Sequence, residues 1–170
     1  DPRRSERWSL TRLADDCAIR RDDVDARVVL AKRDLGHASD YLKIVEMLVA
    51  AGRDADALKW AREGLFVCED DQDERLVTAA LPLFVRTGHA SEADQLVWAS
   101  FDARPSKGLF DRLMERTEAS ARADIADRAI ARLEERLARA DEGAPRRWSH
   151  VELLIDLLAG RKRFADAWSV

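Results

Sequence analysis

The stretch SDYLKIVEMLVAAGRDADALKWAREGL, residues 39–65, decides how the chain is read. In its first half Tyr41, Leu42, Ile44, Val45, Leu48 and Val49 recur at steps of three and four, which places them on one stripe of a helix over 39–51. Gly52 ends that helix, because a residue without a Cβ enters the left-handed conformation at little cost. A second helix is expected from Asp54, whose carboxylate is suited to capping free amide protons, and it carries Ala57, Trp60, Ala61 and Leu65. So short a connection leaves the two helices antiparallel. The unit is a helical hairpin.

The hairpin repeats. Ala57, Ala93, Ala129 and Ala165 stand 36 residues apart, and five residues before them lie Gly52, Gly88, Asp124 and Gly160. Ala61, Val97 and Leu133 keep the same step, as do Leu65, Phe101 and Leu137, while Trp60 and Trp168 are three steps apart. Ladders of different residue types sharing one phase mark an internal repeat. The second hairpin reads Val77, Ala80, Leu81, Phe84, Gly88, Ala93, Leu96, Val97 and Phe101, closed by Pro105, with a kink expected at Pro82. The third places Leu109, Phe110, Leu113 and Met114 on a helix over 106–119, then Ile125, Ala129, Ile130, Leu133 and Leu137 on a longer one over 121–140. The fourth opens after Pro145 with Trp148, Val151, Leu153, Leu154, Leu157 and Leu158, turns at Gly160, and ends with Phe164, Ala165 and Trp168. Residues 8–19 and 22–34 read as two further helices. The expected organisation is all-α: an N-terminal helix pair over 1–36 serving as a cap, then about four degenerate 36-residue hairpins over 37–170, the last cut short.

Composition agrees with helix and narrows function. Among 170 residues there are only seven Gly and four Pro, too few for a strand-and-turn protein. The 29 basic and 33 acidic residues leave a net charge of -4, which removes the broad positive field that sequence-independent nucleic-acid binding needs, so this stretch is expected to make no direct contact with nucleic acid. Cys17 and Cys68 stand far apart with no CxxC or Cys/His cluster, so neither a disulfide framework nor a structural zinc site is read, and reduced thiols in a cytoplasmic protein are expected. No apolar run reaches the length of a membrane span, so no membrane partner is expected. The start Asp1-Pro2-Arg3-Arg4 has neither an initiator Met nor a signal-peptide pattern and reads as part of a longer protein.

Chemistry is sparse. His37 and His89 follow Gly36 and Gly88, where turn solvation accounts for them, and His37, His89 and His150 are all read as surface residues. No nucleophile elbow, phosphate-binding glycine loop or metal-ligand spacing occurs, so no catalytic, cofactor or metal residues are assigned and no enzyme is expected. The clusters Arg3-Arg4, Arg20-Arg21, Arg146-Arg147 and Arg161-Lys162-Arg163 alternate with acids and read as ion-paired helix faces. Helix packing accounts for the tryptophans, with Trp60 and Trp168 sharing one repeat position.

These residues resemble tetratricopeptide (TPR) repeats. Tyr41, Ile44, Val45, Leu48, Gly52, Ala57, Ala61 and Gly64 occupy the family's positions in the first hairpin, and Val77, Ala80, Leu81, Phe84, Gly88, Ala93, Val97, Ser100 and Pro105 in the second. Val45 and Leu81 replace a small residue of the pattern, and the third unit keeps chiefly its second helix. The resemblance implies a right-handed α-solenoid of antiparallel hairpins whose first helices line a concave groove. By register that groove holds Leu42, Glu46, Val49 and Ala50, then Arg75, Thr78, Pro82 and Arg86, then Met114, Glu118 and Arg122. Leu42, Val49 and Met114 in such a groove favour an apolar protein or peptide partner. The alternative is that these side chains contact neighbouring helices and the protein fills its own groove.

A narrower likeness covers about residues 26–104. Arg33-Asp34-Leu35, Tyr41-Leu42-Lys43-Ile44, Ala51-Gly52-Arg53, the run from Ala57 to Leu65, and Asp73-Glu74-Arg75-Leu76 resemble the helical region that follows the zinc finger in bacterial SWIM zinc-finger proteins. The zinc motif itself is absent, so no metal role passes to any residue here. The reading reached is a protein-interaction scaffold within a larger bacterial protein. The alternatives are the partner-recruiting part of a nucleic-acid-associated zinc-finger protein and a helical regulatory domain of an enzyme.

Overall fold

A computed structural model of the chain describes residues 13, 16–21, 23–68, 73–140 and 146–169. Every regular element among the described residues is helical. The chain divides into two compact units, Asp1–Ala93 and Asp94–Val170. The helices expected over 8–19 and 22–34 lie partly outside the described residues. Within them 16–20 is helical, followed by α1 at Val24–Ala31 and a 3-10 turn at Lys32–Asp34.

The first unit continues with α2 (Ala38–Ala50), α3 (Asp54–Val67), α4 (Glu74–Arg86) and the start of α5 (Ala90–Ala103). α1 packs on α2, α2 on α3, and α4 on both α2 and α3. Acids begin three of these helices: the Asp23 side chain accepts from the Ala26 amide at 2.9 Å, Asp40 from the His37 amide at 3.1 Å, and Asp73 from the Arg75 amide at 2.9 Å. The core is the apolar stripe of each helix: Tyr41, Ile44, Val45 and Leu48, then Ala57, Leu58 and Ala61, then Leu76, Val77, Ala80, Leu83 and Phe84.

Small residues let the helices close on one another. Gly64 is buried in α3, and a Cβ there would lie 2.6 Å from the Tyr41 Cβ and 3.0 Å from a Leu76 methyl. The residue 36 positions on, Ser100, is also buried, and its hydroxyl has no hydrogen-bond partner among the described residues.

Hairpin turns repeat bond for bond. After α2 the Gly52 amide donates to the Val49 carbonyl at 3.0 Å and the Arg53 amide to Leu48 at 2.9 Å. After α4, Gly88 donates to Val85 at 3.1 Å and His89 to Phe84 at 2.7 Å. Both glycines are left-handed, with φ of 71° and 84°. This pairing satisfies carbonyls that a helix end leaves open. Asp54 does not cap α3 as expected. It is the first helical residue, and its carboxylate is turned to Arg86. α4 stays helical through Pro82, which lies on the exposed side.

The second unit contains the rest of α5, α6 (Lys107–Arg116), a 3-10 turn (Ala119–Ala121), α7 (Arg122–Arg139), α8 (Arg147–Gly160) and α9 (Phe164–Ala167). α6 packs on α7, α7 on α8, and α8 on α9. Ser106 begins α6 by accepting from the Leu109 amide at 3.1 Å. Here the 36-residue step is adjusted. α6 starts 33 residues after α4 and ends at Arg116, short of the expected 119. α7 is the longest described helix, and the turn it adds in front returns the core to phase: Ala129 and Leu133 are fully buried, like Ala57, Ala61, Ala93 and Val97.

The last turn also departs from expectation. Gly160 is the final residue of α8, and the left-handed residue is Lys162, with φ 60°. The Lys162 and Arg163 amides make the same two bonds as in the earlier turns, to Ala159 and Leu158, each at 2.9 Å. α9 therefore begins two residues late. Ala165 is exposed, and Ala167, fourth in its helix, takes the place that Ala57 and Ala93 hold in theirs.

His150 is a further correction. Fourth in α8, it occupies the place of Tyr41, Val77 and Phe110 in their helices, and it is buried like them. Burial, with Arg136 and Arg146 nearby, lowers its pKa from the usual imidazole value.

These features predict four stability changes, each readable by urea unfolding. Gly64→Ala is expected to cost about 1–3 kcal/mol despite alanine's better helix propensity, because the neighbouring backbones have to move apart. Lys162→Gly is expected to gain about 1 kcal/mol and Gly52→Ala to lose at least as much, since both act on a left-handed residue. A buried His with a lowered pKa gives stability that is full above the ordinary value and declines as pH falls through about 6.5. His150→Phe is expected to flatten the slope between about pH 7 and 5.

Candidate partner-binding face

The residues assigned by register to a groove fall into two groups. In the first unit α2 and α4 lie against each other and present matching outer positions. Leu42 is buried and belongs to the core, while Glu46, Val49 and Ala50 are exposed. On α4, Arg75 and Pro82 are exposed and Thr78 is half-buried. Val85 was not among the sequence candidates, yet it is 46% exposed at the twelfth place of α4, where Val49 in α2 is 38% exposed. Its signal was the 36-residue step from Val49. Glu46 and Pro82 stand at the ninth place of α2 and α4 and Val49 and Val85 at the twelfth, an exposed stripe on each helix.

The two arginines beside this stripe are engaged. Arg75 forks onto Asp73, and Arg86 holds both oxygens of Asp54 at 2.5 and 2.9 Å.

In the second unit the three assigned residues do not share a face of the first helix. Met114 is eighth in α6, the place of the buried Val45 and Leu81, and is half-buried itself. Glu118 lies beyond the end of α6, and Arg122 opens α7, its Nε donating to the Thr117 carbonyl at 3.2 Å. The three-residue shift of α6 accounts for this displacement.

A series of ion pairs recurs with the hairpins. An arginine at or just past the end of a first helix reaches an aspartate in the first half of the preceding second helix: Arg53 to Asp25 at 2.6 Å, Arg86 to Asp54, Arg116 to Asp94 at 2.7 Å, and Arg161 to Asp127 at 2.8 and 2.9 Å. The hydrogen bonds from Arg86 and Arg161 hold the Asp54 and Asp127 carboxyls below the usual carboxylate range. The basic clusters read as ion-paired faces include Arg161 and Arg163 of this kind, the latter bound to Asp166 at 2.6 Å. Arg3-Arg4 lie outside the described residues.

Tryptophans divide by environment. Trp60 is half-buried, tilted against Tyr41 with Lys32 over its ring, and Trp98 is half-buried against Phe101. Trp148 and Trp168 are 80% and 93% exposed, so packing does not account for them, and counted from its helix start Trp168 takes the place of Leu58, not that of Trp60. Trp8 lies outside the described residues. Cys17 is exposed and Cys68 buried. His89 sits at its turn with Nδ1 3.1 Å from the Thr87 hydroxyl.

Among the described residues no group of three or more His, Cys, Asp or Glu is placed to hold a metal ion, and no helix is long and apolar enough to cross a membrane. Comparisons of the chain with known protein families, with curated proteins and with solved structures return no match.

Proposed function

We propose that the chain is a non-enzymatic protein-interaction scaffold, a TPR-like α-solenoid of helical hairpins within a larger bacterial cytoplasmic protein. The partner is a protein or peptide segment that lays apolar side chains on the outer stripe of α2 and α4. The observation that carries this reading is the matched exposure of Val49 and Val85 at one place in successive first helices, with Glu46 and Pro82 beside them. An exposed valine on a helix is ordinary. Two at the same place of helices that pack on each other give a partner two apolar positions in register. Completing the burial of each is worth roughly 1 kcal/mol, which adds affinity when shape and neighbouring polar contacts also fit. Proline at the middle of α4 suits such a surface, since it has no amide to satisfy and stands rigidly towards solvent.

The test is selection from a displayed random-peptide library against the 170-residue chain, followed by affinity measurements on Val49→Asp/Val85→Asp. Arg86 is best left intact because it holds Asp54. Selected peptides are expected to carry apolar anchors and to bind the double variant at least about tenfold more weakly, with helicity unchanged by circular dichroism. Equal binding by the double variant, or no selected peptide, contradicts the proposal.

A further inference from the structure

The second unit holds a groove of about 570 Å³ between the end of α5 and the outer side of α7. Pro105 and Ala140 form its apolar margins. Its wall carries three arginines beside Asp102 and Glu135. Arg132, Arg136 and Arg139 follow one another on α7 at steps of four and three, and so share one face within about 10 Å of helix axis.

Each guanidinium is held in place differently. Arg132 lies over the Trp98 ring at 4.3 Å and pairs with Asp102. Arg136 donates to the carbonyls of Asp102 and Ala103 at 2.7 and 3.1 Å, closing the end of α5. Arg139 pairs with Glu135 within its own helix and is largely exposed. Three cations thus meet two carboxylates. Among the described residues Arg136 is satisfied by carbonyl dipoles, which leave its charge without an opposing one. In a chain of net charge -4 this groove is a local reversal of sign.

We propose that the groove binds an acidic peptide segment. A guanidinium donates two parallel bonds to a carboxylate, and the stacking of Arg132 on Trp98 and the bonds from Arg136 to the end of α5 fix these two side chains in advance. An extended peptide places every second side chain on one side about 6.6–7 Å apart. That spacing approaches the axial separation of about 6 Å between Arg132 and Arg136. Alternate Glu or Asp residues therefore meet successive arginines, and an apolar residue between them lies on Pro105 or Ala140. Asp102 and Glu135 compete for the same forks. Binding is accordingly modest and salt-sensitive.

This site is separate from the α2 and α4 stripe, and its test uses other variants, so either surface can fail alone. The experiment is fluorescence anisotropy of the full 170-residue chain with a labelled peptide of alternating Glu and Leu, against the same peptide with Gln for Glu. The Glu peptide is expected to bind in the micromolar range and to weaken about tenfold between about 0.05 and 0.5 M NaCl, while the Gln peptide stays unbound. Arg139→Glu is expected to weaken binding about tenfold and Glu135→Gln to strengthen it about threefold, neither touching the bonds that close α5. Equal binding of the Glu and Gln peptides overturns the proposal, as does indifference to both variants. Displacement by equimolar inorganic phosphate also overturns it, since the site then reads a small anion.

Discussion

Helices joined by three residues lie side by side in this chain through a left-handed residue at the turn and small residues where the helices meet. That joint constraint recurs along this chain. At Gly52, Gly88 and Lys162 the backbone makes the same pair of bonds back into the preceding helix, which sets the exit direction of the next one. Gly64, Ala57 and Ala61 then allow α3 to approach Tyr41 and Leu76 closely enough that no Cβ fits at Gly64. Dispersion falls off steeply with separation, so the aliphatic stripes gain most of their packing energy only when this approach is complete.

A core of alanine, valine and leucine is permissive about which helix meets which. The arginine-to-aspartate pairs supply a discriminating element. Being largely exposed, they add little to stability, but each joins a first helix to the second helix of the hairpin before it, and a slipped register would separate opposite charges or bring like charges together. Near balance of acids and bases in the sequence therefore has a structural counterpart: much of the charge is committed within the fold. Arg86, offered by sequence as a partner-binding residue, is an example.

The hairpins of the first unit were readable because two signals coincide there, the three-and-four stripe and a glycine at the turn. Where one signal was missing, the reading slipped. α6 begins three residues early because Pro105 and Ser106 start it, and a strict 36-residue count could not see that α7 restores phase with an added turn. Glu118 and Arg122 were misplaced for the same reason. At the last turn a glycine was present, but the bend fell on Lys162, since hydrogen bonding and packing fix the left-handed site and glycine merely lowers its cost. His150 looked polar by type, and only its place beside Tyr41, Val77 and Phe110 in helix count reveals it as core. Exposure of Val85 was hidden in a run of apolar residues, where sequence does not tell which side of a helix is left uncovered. The arginine groove depends on Trp98 and α7 meeting across more than thirty residues, which no local pattern announces.

The two surfaces proposed to bind partners both arise as by-products of hairpin packing: an outer stripe left over when first helices touch, and a groove left where α5 ends against a longer α7. Their existence depends on the small-residue ladder holding the helices in register. Native-state amide hydrogen exchange followed by NMR tests that ladder most directly. The slowest amides are expected at Ala57, Ala61, Val97 and Leu133, where the ladder is buried, with much faster exchange across residues 117–121. Exchange at the ladder positions as fast as in that connection would contradict the account.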